Sequence, residues 1–215
     1  MKEVTYPRFL NIDNNLLLTY RTGQAGQGSD ILYTYSSATH TYTYLGQHLT
    51  GTTNSPYING IDYRVGRIHI SWCYRNYIPP PKQKDTHKQQ AGFNGPENNF
   101  DLCYASSDDL GLSWKNSRGR TIARLEGKAE TEDRVDTSIM PGAEGAKVFE
   151  IPMNSGILNQ EGQATDSDGG FWVLNREKVD GEESWMVYYR SPSGNQASSM
   201  IFSSSNKIDR YLEDS

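Results

Sequence analysis

Large side chains in this sequence recur with the period of strands. ILYTYSS from Ile31 and TYTYLG from Thr41 place them at every second position, as strands with one exposed face do. Turn residues interrupt such runs every eight to twelve positions, and long amphipathic helical periodicity is almost absent. Four strands are expected first: VTYPRFLNI (4–12), NLLLTYR (15–21), DILYTYS (30–36) and HTYTYLG (40–46). A second group is NGIDYRV (59–65), RIHISWCYR (67–75), FDLCYASS (100–107) and SWKNS (113–117). A third is GQATDS (162–167), GFWVLNREKV (170–179), SWMVYYRS (184–191) and SMIFSSS (199–205). The insert at 76–99 is a loop rich in Pro, Gln and Asn, and 126–159 carries no clear pattern.

Three stretches resemble one another: NNLLLTYRTG from Asn14, VGRIHISWCYRN from Val65 and DGGFWVLNREK from Asp168. Their arginines, Arg21, Arg75 and Arg176, lie 54 and 101 residues apart, one and two periods of about 50 residues. Four short antiparallel strands per repeat at that length predict an all-β protein, a β-propeller with approximate blades at 1–50, 51–125 and 160–205. Residues 126–159 are expected to link the second blade to the third. About four blades fit 215 residues and three are recognisable, so the expectation is a partial propeller in one domain, 1–215. Its open blade edges would permit self-association.

Composition narrows the possible partners. A net charge of −5 argues against nucleic acid and anionic membrane, whose binders rely on basic surfaces. No apolar run approaches the roughly 20 residues of a transmembrane helix. The start, MKEVTYPRFL, has no secretory h-region, so the chain as written is expected to be cytoplasmic; a longer parent is compatible with secretion. Cys73 and Cys103 each sit in a strand-like run and are expected to be free buried thiols. No Cys/His cluster has zinc spacing, and no metal or cofactor is expected.

The acidic stretch SSDDLGLSW is expected to be a turn. An aspartate that accepts backbone N–H bonds, a glycine free to take positive φ and a tryptophan packed beneath would close a hairpin. Asp108 and Asp109 are neighbours on an extended segment and would point apart, unlike a glycosidase pair facing one sugar. Ser107, Asp109, Gly111, Ser113 and Trp114 match the Asp-box of sialidase-like propellers, S-x-D-x-G-x-[S/T]-W.

Residues from about 4 to 190 resemble the BNR-repeat-containing family, which includes proteins described as neuraminidases and, more distantly, the ulvan lyases. The resemblance rests on VTYPRFL with LLLTYRTGQAGQG, GTTNSPYINGIDY, GRIHISWCYR, DLCYASSDDLGLSWKNSRG and GQATDSDGGFWVLNRE. It implies a seven-bladed propeller that cleaves an anionic, uronate-containing glycan by β-elimination. Such chemistry needs a cation to stabilise the carboxylate, a base for the C5 proton and an acid for the leaving oxygen. By position the family's tyrosine is Tyr6 and its arginine Arg21. Arg21 would hold the carboxylate bidentately, and a nearby positive charge favours the phenolate a base needs. Arg8, Asn54, Tyr57, Asn59 and Arg75 are candidate substrate contacts. Asn54, Tyr57, Asn59 and Asp62 are placed on a loop entering a strand.

The family's histidines precede the TYPRF element, and only five residues precede Tyr6 here. The expectation is therefore a chain without its N-terminal blades, inactive or slow by itself. His40 and His48 flank an outer strand, His87 lies in the insert, and His69 is expected to be hydrogen-bonded within a blade. Two alternatives stay open. A sialidase-like hydrolase would gather three of Arg8, Arg21, Arg75, Arg176 and Arg190 about a carboxylate, with a Tyr/Glu pair. A non-catalytic propeller would bind glycan or protein.

Overall fold

The computed structural model describes residues 4–79, 94–125 and 137–204. His87 and the middle of the insert lie outside them, as do residues 126–136. The described residues form three antiparallel sheets, the blades of a β-propeller. In the first, β1 (Val4–Ile12), β2 (Asn15–Gln24), β3 (Gln27–Ser36) and β4 (Thr41–Leu49) lie in chain order. The second orders β5 (Asn54–Arg64), β6 (Arg67–Asn76), β7 (Asn99–Ser107), β8 (Ser113–Lys115) and β9 (Thr121–Arg124). β10 (Lys147–Phe149) also pairs with β7, so part of the expected linker joins this sheet. The third comprises β11 (Gly162–Thr165), β12 (Phe171–Val179), β13 (Glu182–Arg190) and β14 (Ala197–Ser204).

The central sheet is covered on both faces, and strand alternation assigns its side chains. Ile68, Ile70 and Trp72 of β6 pack against Leu17, Leu32 and Leu49 of the first sheet. Cys73, the residue after Trp72, joins Tyr57 and Tyr104 against Phe171, Val173 and Tyr188 of the third. Cys103 belongs to the first of these cores and Cys73 to the second. Both are free and buried.

The same alternation separates the three repeated arginines. Arg21 and Arg75 point into the stack and are 3% and 7% exposed. In β12 the inward residue is Asn175, and Arg176 falls on the opposite face, paired with Glu161 at 3.1 Å. One position of offset is enough, because successive strand residues face opposite ways.

β5 spans the NSPYINGIDY stretch expected to begin as a loop. Among the described residues it pairs only with β6, and an edge strand tolerates Pro56. Residues 137–159 then fasten the stack. Ile139 and His48 share a backbone hydrogen bond at the first sheet, and Ala146 O accepts from Tyr104 N in the second. Leu158 N donates to Asn175 Oδ1 of the third.

His40 and His48 bracket the outer strand β4, His48 as its last residue but one. His48 is fully buried, its Nε2 lies 2.9 Å from Asp30 Oδ1, and its ring meets Trp114 edge-on. Thr19 Oγ1 donates to the same carboxylate oxygen.

In the acidic turn, Asp109 Oδ1 accepts from Ser113 N and from Ser107 Oγ, each at 2.8 Å, while Oδ2 accepts from Ser113 Oγ at 2.6 Å. Burial pushes the Asp109 carboxyl up, but these bonds outweigh it and hold it below the usual carboxylate value. Gly111 has φ 94°, and a Cβ there would lie 2.4 Å from Leu32 Cδ2. Asp108 points to the surface and pairs with Arg67 and Lys115. Asp109→Ala should destabilise the chain by about 2 kcal/mol, since it strands buried donors of the turn. Urea unfolding measures it, and a loss within error would show that the turn closes without the carboxylate.

Candidate functional site

Where the first sheet meets the second, β1, β2, β5 and β6 bring Tyr6, Arg21, Tyr57 and Arg75 together. Tyr57 projects from β5, with the Arg21 guanidinium 4.5 Å and the Arg75 guanidinium 4.2 Å from its ring centroid. The Tyr6 ring meets the Tyr57 ring in a T-shaped contact at 5.9 Å. Such cation–aromatic contacts contribute about 2 kcal/mol each when desolvated.

The local sequence explains each placement. Pro7 cannot donate to a ladder, and the β1–β2 register shifts between Thr5 and Arg8. Tyr6 occupies that bulge with φ 57°, a left-handed conformation that costs a residue with a Cβ. It is 40% exposed, and so turns toward solvent beside an otherwise buried cluster. Arg21 is held by its own hairpin and by β5. Its Nε donates to Ser55 Oγ at 2.7 Å, and its Nη1 to Thr5 Oγ1 and Gly23 O at 3.2 and 3.1 Å. Nη2 donates to Gln24 O. The Gly-rich stretch after Arg21 thus has a use: Gly23 turns with φ 89°, and a Cβ on Gly28 would lie 2.9 Å from Arg21 Nη2.

Arg75 is satisfied from the other side. Its Nε donates to Asn99 Oδ1 at 2.7 Å, Nη1 to Asn94 O at 3.2 Å and Nη2 to Asn159 Oδ1 at 2.9 Å. Asn94 and Asn99 come from the end of the insert, and Asn159 from the segment before β11. No motif marks them, because their role follows from where two loops return. No ion pair among the described residues involves Arg21 or Arg75. Burial pushes the Arg21 guanidinium below its ordinary value and the neighbouring Arg75 charge adds to that, while Tyr57, Tyr6 and the Asp30 carboxylate act the other way.

The other expected contacts have different places. Arg8 Nη2 donates to Ile58 O at 3.2 Å. Asn59 clamps two sheets, donating to Gly162 O at 2.9 Å and accepting from Glu161 N at 3.1 Å. Asn54 is buried at the start of β5, where its Oδ1 accepts from Thr52 N at 3.4 Å. Asp62 accepts from Gln163 and Thr165 of β11. The sequence pointed to Arg21 as a bidentate carboxylate holder; its fork is occupied by the protein, and what it presents is charge.

A second arginine–tyrosine contact lies elsewhere on the face shared with the third sheet. Arg190 stands 4.2 Å from the Tyr104 ring centroid and donates to Ser117. The Tyr104 hydroxyl bonds His69 Nδ1 at 2.7 Å, while His69 Nε2 lies 3.4 Å from Arg64 O. Neutral His69, with its proton on Nε2, satisfies both contacts. Burial lowers its pKa to about 4. Among the described residues, no group of three His, Cys, Asp or Glu could hold a metal ion. No described helix is long and apolar enough to cross a membrane.

A family model described as "BNR repeat-containing family member" matches residues 1–200. No curated protein matches the chain. Solved structures share the fold. An ulvan lyase described as a new polysaccharide lyase family, PL25, bound to -[GlcA(1-4)Rha3S]-, aligns with TM-score 0.62 and 15% identity. The alignment covers 91% of this chain and 43% of that one. The polysaccharide lyase Uly1 aligns with TM-score 0.58 and 18% identity, covering 92% and 40%. A protein of unknown function from Dyadobacter fermentans aligns at 0.50 and 11%, covering 92% and 54%. The chain therefore spans less than half the length of the two lyases.

The His69 pKa makes stability depend on pH. The unfolded chain takes up this proton near 6.5 and the folded chain only near 4. Stability should thus fall as pH drops through that window, by roughly 3 kcal/mol from this residue, and level off at either side. Unfolding free energies of the wild type and His69→Gln across pH 3.5–7.5 test it. Parallel curves would show that His69 takes up no extra proton on unfolding.

Proposed function

The chain belongs to the BNR repeat-containing family, and from that premise we propose that it is a carbohydrate-active propeller protein acting on a uronate-containing glycan by β-elimination. The observation that carries this reading is the Arg21–Tyr57–Arg75 cluster. Two buried guanidiniums converge on one ring, and among the described residues no carboxylate ion-pairs with either, the cross-strand Asp30 acting on Arg21 only at longer range; a strained, solvent-facing tyrosine stands beside them. Positive charge in a low-dielectric site favours an anionic ligand and stabilises negative charge as it develops.

In the proposed step a uronate lies against Tyr6 with its carboxylate toward the guanidiniums. The Tyr6 phenolate takes the C5 proton, and charge spreads into the carboxylate under the field of Arg21 and Arg75. The C5 electron pair forms the C4–C5 double bond as the C4–O bond breaks. The leaving oxygen then recovers the proton from Tyr6. Tyr57 positions both arginines and does not itself react. That the PL25 ulvan lyase of the same fold was solved with a glucuronate-containing oligosaccharide supports the substrate class.

The hydrolase alternative draws less support. Of its candidate arginines only Arg21 and Arg75 converge on one group. Arg8 is bound to Ile58 O, Arg176 pairs with Glu161, and Arg190 contacts Tyr104. A Tyr/Glu pair does exist, since the Tyr188 hydroxyl donates to Glu177 at 2.6 Å, but Tyr188 is buried in the core between the second and third sheets.

Incubation with uronate polysaccharides should yield products absorbing in the near ultraviolet, the signature of the new double bond. Tyr6→Phe should lower that rate by about 100-fold or more at unchanged thermal stability. Cleavage without the absorbance would instead indicate hydrolysis. Affinity electrophoresis through uronate and neutral glycans tests the binding class separately, and equal retardation by both would remove the role given to the two arginines.

A further inference from the structure

Strand alternation gives the second sheet two opposite faces, and the arginine–tyrosine cluster uses one of them. Arg75 and Tyr57 meet on that face. Tyr74, one residue earlier on β6, faces the core shared with the first sheet. On its side lies a cavity of about 470 Å³. Small-molecule sites range over roughly 300–1,000 Å³, so the space suits a ligand. Tyr74 and Phe100 wall it from the sheet, and the turn at 140–147 walls it from the other side.

Both walls are held in place by the backbone. Before the turn, Ile139 N donates to His48 O and Ile139 O accepts from Thr50 N, at the end of the first sheet. After it, Ala146 O accepts from Tyr104 N of the second. Between these anchors Ala143 N closes on Met140 O at 3.0 Å, and Ala146 N on Ala143 O at 3.1 Å. On the sheet side β7 carries an extra residue, since Trp72 pairs with Cys103 but Tyr74 with Phe100. Phe100 and Cys103 would face opposite ways in a regular strand, and the bulge lets both line the cavity. Asp101, inside the bulge, takes φ 54°, a left-handed conformation of the kind that concentrates at ligand sites.

Three polar side chains on the lining keep hydrogen-bonding capacity. Asn54 is only 7% exposed; its Oδ1 accepts from Thr52 N, and among the described residues its Nδ2 has no partner. Buried amides are rarely left so. Asp101 Oδ1 accepts from Ile151 N at 3.1 Å, while Oδ2 lies 3.7 Å from Lys147 Nζ, an attraction too long for a hydrogen bond. The cavity thus offers an amide donor, a carboxylate acceptor and an ammonium donor beside an apolar wall. Its charges balance: Asp101 and Lys147 are opposite in sign, and Glu144 pairs with Arg120.

We propose that this cavity is a second binding site, which takes one neutral sugar ring. The C–H face of the ring lies on Phe100 and Met140, and its hydroxyls meet Asn54, Asp101 and Lys147. A pyranose has an apolar face and an edge of groups that both donate and accept, which matches a cavity apolar on one side and polar on the other. An anion would gain from Lys147 and lose as much to Asp101, unlike at Arg21 and Arg75. The two sites lie on opposite faces of the second sheet, and the sugar site stands whether or not the chain is a lyase.

Saturation-transfer NMR on the full chain tests the proposal, with glucose, galactose and rhamnose as neutral probes and glucuronate as the charged one. At least one neutral sugar should receive transfer at millimolar concentration. Ala143→Trp, which fills the cavity from the turn, should abolish that transfer while cooperative thermal unfolding is retained. Asn54→Leu should weaken binding by about tenfold, and it decides the matter should the filled variant not fold. Tyr6→Phe should leave the neutral-sugar signal intact, and Ala143→Trp should leave any glucuronate signal intact. Absence of transfer to every neutral sugar would overturn the proposal, as would transfer unchanged in folded Ala143→Trp or Asn54→Leu chains. Loss of the neutral-sugar signal in Tyr6→Phe would move the sugar to the arginine–tyrosine cluster, and loss of a glucuronate signal in Ala143→Trp would overturn the neutral class.

Discussion

The contact of Tyr57 with two guanidiniums joins more of the molecule than any other group of side chains. Arg21 comes from the first sheet, Tyr57 and Arg75 from the second, and the acceptor Asn159 from the segment that leads into the third. Two like charges are held near one ring, which is tolerable only because every nitrogen of both guanidiniums donates to a neutral oxygen. Those oxygens disperse the desolvation cost without cancelling the charge. Had carboxylates supplied the bonds, the site would be neutral and of little use to an anion.

The same economy appears in the remaining polar groups, which are used mainly to hold blades together. Asn59 bridges the second and third sheets, while His48 ties Asp30 into the joint between the first and second, against Trp114. His69 serves Tyr104 and the Arg64 carbonyl. Asp109 closes its hairpin with three hydrogen bonds, and Asp166 does similar work between β11 and β12, accepting from Asp168 N, Gly170 N and Trp172 Nε1. Buried polar groups with such partners cost little, and propeller blades with thin apolar cores rely on them. Tyr6 differs from them all in being both strained and exposed.

A stack of sheets also has two ends, and that geometric fact shapes the rest. Each inner face is buried by its neighbour, and the outermost faces cannot be buried from within the described stack. Their aromatic content follows from the alternation that builds the core, since both sides of every blade are made to be covered. The site and the open faces are therefore linked: β1, which carries Tyr6, is at once a wall of the site and the inner strand of an uncovered blade.

Strand alternation, turn chemistry and the spacing of repeats are local properties, and so the all-β blades, most strand boundaries and the Ser107–Trp114 turn could be read from the chain alone. The candidate pair Tyr6 and Arg21 was legible through family motifs, and the structure does bring them to one ring. Other features depended on positions distant in sequence. Arg176 looked equivalent to Arg75 until a one-residue offset sent it to the other face. Asn54 and Asn59 were expected on a loop, and β5 proved to be a strand from Asn54 onward, with Asn59 clamped to Glu161 and Gly162. Arg21 looked free to grip a carboxylate until Ser55, 34 residues away, and the carbonyls of its own turn filled its fork. Which face a side chain takes, and whether its hydrogen bonds are already spent, is decided when sheets pack, and no local pattern encodes it.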